Sequence, residues 1–328
     1  MLKAYHVENG DLRESDGKPE RKSLGKALWI DLCDASDKEK RLVEDTFDID
    51  VDPVNDYEPF QVSTHYRADD NQATMTGLVL MLRDDAPHLL KVTFIRAADV
   101  IVTVSEGDDG SMSALVNECE AGFPPKPCRD DVFAALLEMV VDHSDNILDK
   151  VGHDLDDINT RVFQHHTAQR RRGLQDSPRK RNRRLEAMLT DLGPSREILV
   201  KLRRSVLSFA RMLAFLREQK MPKSLLDKLE AFERDLKSIA EAESDLSTTA
   251  GFLLDGIVGY IGLLQNKVMN VLTFGATLLT PSMVIAGIYG MNFKVMPELQ
   301  WAYGYPFALG LMVVSTAALY LWLRARGM

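Results

Sequence analysis

The sequence predicts an α+β domain followed by long helices and a C-terminal pair of membrane-crossing helices, and three observations carry that expectation. Short runs of β-branched and aromatic residues punctuate roughly the first hundred residues. Apolar residues then recur at spacings of three and four. Near the end, Val268 to Gly290 passes about 23 residues without a charged side chain, and Tyr305 to Leu323 about 19.

The strand-like runs are Leu2 to Val7, Ala27 to Leu32, Gln61 to Tyr66, Met75 to Leu82, Leu89 to Ile95 and Val100 to Val104. Ser36 to Phe47 shows helical spacing behind a serine, and Asp84 to Pro87 and Glu106 to Gly110 carry turn chemistry. After the Pro-rich stretch Phe123 to Pro127, the apolar series from Val132 to Val162 predicts one long amphipathic helix. A second runs from about Asn182 to Lys220, and Met221-Pro222 marks a turn. From Lys223 no proline occurs before Pro281, which allows one rod of about 68 residues, roughly 100 Å long.

At about 1.5 Å per residue each uncharged run crosses a hydrocarbon core of about 30 Å. Trp301, Tyr303, Tyr305 and Trp322 cluster at the run ends, as interfacial aromatics do. Lys267 precedes the first run and Arg324 and Arg326 follow the second, so the positive-inside rule places both termini in the cytoplasm. The predicted organisation is a cytosolic α/β domain over 1–111, a cytosolic long-helix region over 112–222 and a stalk continuing into the first span over 223–290. An external loop over 291–304, the second span over 305–323 and a cytosolic tail over 324–328 complete it.

Of the 328 residues 45% are hydrophobic and 27% charged, with a net charge of -9, which argues against a nucleic-acid partner and favours cations. Three widely spaced cysteines, Cys33, Cys119 and Cys128, give neither a disulfide framework nor a zinc pair. No P-loop and no GxSxG elbow is present, so the chain is not expected to be an enzyme, to hold a catalytic cofactor or to pump at the expense of ATP. The basic tract from Arg170 to Arg184 reads as a solvated helix turn, and the adjacent His165-His166 lacks metal partners at helical spacing. The rod carries Glu230, Glu233, Asp235, Glu241, Glu243, Asp245 and Asp255, which reads mainly as a solvated acidic face whose oxygens also suit magnesium or calcium. Within the first span Asn266, Met269, Thr273, Ala276, Thr280 and Gly287 keep to one face, a stripe suited to helix packing or a water-filled path. Two spans cannot enclose a pore in one copy, so a path along that stripe requires several chains.

The outer end of the first span reads Tyr289-Gly290-Met291-Asn292-Phe293, followed by Met296-Pro297-Glu298-Leu299 and by Gly304-Tyr305-Pro306 at the start of the last span. These motifs, in this order and place, resemble the signature of the CorA family of divalent metal ion channels. The close match covers about Gln265 to Tyr305, and the cytosolic part agrees in its order of α/β domain, long helices and rod. The resemblance implies a funnel-shaped homopentamer in the bacterial inner membrane, importing Mg2+, with Co2+ or Ni2+ as further cargo, passively and under the control of intracellular Mg2+. It implies a selectivity filter at Gly290, Met291 and Asn292 and a conduit lined by Met283, Thr280, Leu272, Met269 and Asn266. Asp255 then lies near its cytosolic end and Glu298 in the external loop. Amide oxygens suit magnesium, which gives up its waters reluctantly and is selected through its first hydration shell. Met269 and Leu272 make an apolar gate, and Asp235 and Asp245 are candidates for the regulatory ion.

The chain departs from the family pattern in three places. Thr280 before Pro281 and Met283 after it exchange the usual apolar and polar positions, and Lys294 stands where an acidic residue is common. The C-terminal basic cluster is reduced to Arg324 and Arg326. Two rival readings are a zinc transporter of the ZntB branch, proton-coupled, and a tail-anchored oligomeric scaffold. The intact Met296-Pro297-Glu298-Leu299 loop favours magnesium over the first, and the in-line Gly-Met-Asn over the second.

Overall fold

The computed structural model describes residues 1–8, 11–15, 21–51, 66–69, 71–84, 86–105, 112–118, 123–124, 127–164, 178–219, 221–291, 297, 301 and 303–326. They form two compact units, Met1–Asp255 and Gly256–Met328.

In the first unit seven strands make one mixed sheet: β1 Leu2–Glu8, β2 Asp11–Glu14, β3 Trp29–Cys33, β4 Tyr66–Ala68, β5 Ala73–Arg83, β6 Ala86–Arg96 and β7 Ile101–Ser105. Their order is β2-β1-β3-β7-β6-β5-β4, with β3 and β7 parallel and the other neighbours antiparallel. Five of the expected strand runs fall within β1, β3, β5, β6 and β7, displaced by at most a few residues. Of the run Gln61 to Tyr66, residues 61–65 lie outside the described residues, and Tyr66 opens β4. β2 escaped the reading because Asp-Leu-Arg-Glu has no apolar alternation; it is an exposed edge strand. The β5–β6 turn is tighter than expected, since Ala86 and Pro87 already pair with Arg83 and Leu82. Asp84 makes it possible by taking φ 51°, a left-handed conformation that aspartate tolerates.

Alternation along the strands divides the core. Ile30, Leu32, Ile95, Val102 and Val104 face one side, where Leu24 of α1 (Arg21–Leu24) and Val43 of α2 (Asp37–Phe47) cover them. Glu39 accepts the Ser36 N–H at 2.8 Å and so caps α2 where the serine was expected to start it. The opposite face carries Phe94, packed edge-to-face against Phe133 of α3 (Arg129–Asn159) and Phe209 of α4 (Pro178–Glu218). Among the described residues β4 pairs with β5 only as far as Met75, short of Leu78. Two α4 hydroxyls bond the backbone there: Ser208 Oγ accepts the Leu78 N–H at 2.8 Å, and Ser205 donates to its carbonyl at 2.6 Å.

α4 runs unbroken through Gly193-Pro194, and α5 spans Lys223–Tyr289, close to the rod expected from the sequence. Its apolar stripe in the first unit, Leu225, Leu229, Phe232, Leu236 and Ile239, is buried. The next position on that stripe is Glu243, 3% exposed, so this residue does not belong to a solvated face as its acidic neighbours do. Burial pushes its carboxyl up, against a weaker pull from Arg203. The second unit contains the rest of α5 and α6, Gly304–Ala325.

Candidate functional site

Both helices of the second unit are long and apolar enough to cross a membrane. A core helix of a soluble domain would pass the same length test but would bury its apolar side chains. Here Val268, Leu272, Leu279, Met283, Val313 and Leu321 are all exposed. Trp301 packs against Tyr303 and Phe307 at one end of α6, and Arg326 lies 4.3 Å over the Trp322 ring at the other. These are aromatic anchors at two levels, separated by the length of a span.

Between Val268 and Tyr289 the residues of α5 that are partly covered in the single chain are Phe274, Thr277, Leu278, Pro281, Ser282, Ile285 and Tyr289, one face by helical spacing. α6 answers with Gly304, Ala308, Met312, Ser315, Thr316 and Leu323, mostly small residues that let two backbones approach. Ser282 and Thr316 share a hydrogen bond of 3.1 Å between hydroxyls, and Phe274 meets the Tyr320 ring edge-on.

Pairing with α6 therefore uses up one face of α5 and leaves the other. On that other face Asn266, Met269, Leu272, Thr280 and Met283 are all exposed, together with Thr273, Ala276 and Gly287 of the stripe. Asp255, the last residue of the first unit, is also exposed. Thr280 satisfies its hydroxyl internally, donating to the carbonyl of Ala276, one turn back, at 2.9 Å. α5 ends at Tyr289; the Gly290 N–H bonds the Ala286 carbonyl at 2.9 Å. A Cβ at Gly290 would stand 3.1 Å from that same oxygen, which is a physical reason for glycine to close this helix. Met291 is exposed just beyond. Asn292 and Glu298 lie outside the described residues, as do Lys294 and His165-His166.

Asp235 and Asp245 are exposed on α5. Asp235 borders a cavity of about 220 Å³ with Asp131, Glu138, Lys228 and Phe232. Burial alone would raise the Asp131 carboxyl, but hydrogen bonds from the Cys128 N–H, from Lys228 at 2.7 Å and from the Cys128 thiol hold it below the usual range. Among the described residues no three His, Cys, Asp or Glu side chains converge to hold a metal. The helix-pairing residues Ser282 and Thr316 were not singled out by sequence reading, although a small hydroxyl at a packing position is the signal that marks them.

The model of the "CorA-like Mg2+ transporter protein" family matches residues 25–325. The chain belongs to the CorA family. A CorA relative from Haemophilus ducreyi, named a magnesium transport protein, is 25% identical over 330 residues, covering 100% of this chain and 99% of its own. The complete CorA magnesium transporter structure from Methanocaldococcus jannaschii superposes with a TM-score of 0.69 at 16% identity, over 100% of this chain and 98% of that one. The cytoplasmic domain of ZntB from Vibrio parahaemolyticus gives 0.51 at 9% identity, over 79% of this chain and 97% of that one. At such identities the two structures show a shared CorA fold and nothing of the cargo.

Proposed function

We propose that this CorA-family chain is the subunit of a passive Mg2+ channel in the bacterial inner membrane, both termini cytoplasmic, built as a homopentamer around the open face of α5. The observation that carries the reading is the division of α5 in the membrane unit. α6 takes the face of Phe274, Ser282 and Ile285, and every described residue expected to line a conduit lies on the uncovered side. Five such faces around an axis enclose a path lined by Asn266, Met269, Leu272, Thr280 and Met283.

In this reading a ring of Gly290 carbonyls and Asn292 amides greets the hydrated cation, with Glu298 adding attraction outside and Asp255 waiting at the inner end. Size and hydrogen-bond pattern select the ion without stripping its waters. Met269 and Leu272 form the apolar constriction, which opens by wetting. Intracellular Mg2+, held by carboxylates such as Asp235 and Asp245 together with groups from a neighbouring copy, keeps the assembly closed. Co2+ and Ni2+, similar in size and hydration, follow the same path.

The test is flux into liposomes loaded with magnesium- and zinc-sensitive dyes, with and without a pH gradient. Magnesium entry abolished by Asn292→Ala and indifferent to the pH gradient is the expected result. Zinc uptake that grows with a proton gradient would transfer the chain to a ZntB-like activity, and the absence of any divalent flux would leave an oligomeric scaffold.

A further inference from the structure

The helical layer of the first unit carries two charged faces of opposite sign. Along α3, Glu138, Asp142, Asp145, Asp149 and Asp156 recur at spacings of three, four and seven and are all exposed. They fall within about 60° of one another around the helix. Crowding is felt there: burial first, then Asp149 and Asp142, push the Asp145 carboxyl up. Along α4, Arg196, Val200, Arg203, Arg204, Leu207 and Arg211 form an equally regular exposed face. Its aliphatic members are unusual for a solvated helix, Val200 being 52% exposed and Leu207 50%. The ion pairs of α4 lie elsewhere on it, Lys201–Glu197, Asp191–Arg161 and Arg217–Glu233. Arg204 and Arg211 have no acidic partner among the described residues.

We propose that these faces are the two halves of one lateral interface between copies of this chain, α4 of one copy lying along α3 of the next. Arg204 and Arg211 of one copy meet Asp142, Asp145 and Asp149 of its neighbour, with the exposed Val200 and Leu207 between them. The dimensions agree: Glu138 to Asp149 spans about 16 Å and Arg196 to Arg211 about 22 Å at 1.5 Å per residue. The faces differ, so the contact is head-to-tail, the kind that builds a ring when the rotation between copies closes. Complementary charge sets the register, and the buried aliphatic pair supplies the apolar area. The inference deepens the oligomeric reading above and rests on it.

Cross-linking of the full chain in a background with Cys33, Cys119 and Cys128 changed to serine tests it. Two differently tagged chains, one Asp145→Cys and one Leu207→Cys, are co-expressed, purified in detergent and oxidised. A covalent heterodimer carrying both tags is expected, with no homodimer from either chain alone. Arg204→Glu with Arg211→Glu in the Leu207→Cys chain should reduce its yield roughly tenfold, and Asp142→Arg with Asp149→Arg in the Asp145→Cys chain should restore it. Absence of the heterodimer in a sample that still runs as an oligomer overturns this interface and leaves the oligomer standing. A sample that runs as a monomer overturns both. A homodimer of the Asp145→Cys chain would assign α3 to a symmetric contact and equally overturn the proposal, as would quenching of a Leu207→Cys fluorophore by brominated anionic lipid, which would give the α4 face to the bilayer.

Discussion

The hydroxyls of Ser282 and Thr316 meet at 3.1 Å, and this contact marks the side of the first membrane helix that α6 covers. Ser282 shares its face of α5 with Phe274, Thr277, Leu278, Pro281, Ile285 and Tyr289, all partly covered, while Asn266, Met269, Leu272, Thr280 and Met283 on the opposite side remain open. Orientation of the proposed pore is thus a consequence of how two helices of one chain pack.

Cysteine accessibility follows from that geometry. In the cysteine-free background, Met269→Cys, Thr280→Cys and Met283→Cys should react with a water-soluble thiol reagent and lose most of their magnesium flux on modification. Phe274→Cys and Ile285→Cys, on the covered face, should be inert to it. Block at the second pair with none at the first three would turn the helix around and sink the proposed lining.

The proposed gate offers a second measurement. Met269 and Leu272 are both exposed on the open face, and an apolar ring holds a pore shut by excluding water. Met269→Asp keeps that ring hydrated, so basal magnesium uptake should rise several-fold over the parent at equal protein in the membrane. Unchanged basal flux in a correctly assembled variant would move the constriction elsewhere.

How far the chain was legible depends on what each signal required. Charge-free length and the Gly290-Met291-Asn292 unit needed no tertiary information, and the helix pair of the second unit stands where hydropathy placed it. β5 and β6 were read from their β-branched residues but shortened, because the terminal Ala73, Arg83, Ala86 and Arg96 owe their pairing to a partner strand and not to their own preference. Glu243 was misread for the same reason. Composition marks a glutamate in an acidic stretch as solvated, and only its place after Leu236 and Ile239 on the α5 stripe betrays burial. The exchange of Thr280 and Met283 was visible in the sequence, but both remain on the open face, so it alters the chemistry of the proposed lining and not its direction.

Close packing in the first unit gives a stability test. A Cβ on Gly77 would come within 3.0 Å of the Phe209 ring, which is itself wedged against Phe94 and Phe232. The ring has little room to yield, so Gly77→Ala should cost about 1–3 kcal/mol through overpacking and lower the melting temperature of the first unit. Phe209→Leu in the same chain should recover part of the loss by making room. A Gly77→Ala chain as stable as the parent would mean that α4 lies farther from β5 than it does here.

Glu243 makes the stability of that unit depend on pH. Its carboxyl is raised in the folded chain by burial, so the folded state holds this proton at pH values where the unfolded chain, with an ordinary glutamate near pH 4.3, has released it. The sign follows directly. The contribution of the protonated side chain is fully present below the unfolded value and is lost as pH rises through the folded one. Glu243→Gln keeps the shape and the neutrality at every pH. Melting curves from pH 4 to pH 8 should therefore show the variant level with the parent at the acid end and increasingly more stable above it. Arg203, which pulls the other way, supplies the control: Arg203→Gln should widen the gap between parent and Glu243→Gln at pH 8, because it removes the one charge that eases ionisation of the buried carboxyl. A gap that stays constant from pH 4 to pH 8 would show that the Glu243 proton is not coupled to folding, and that the carboxyl reaches water in the folded chain.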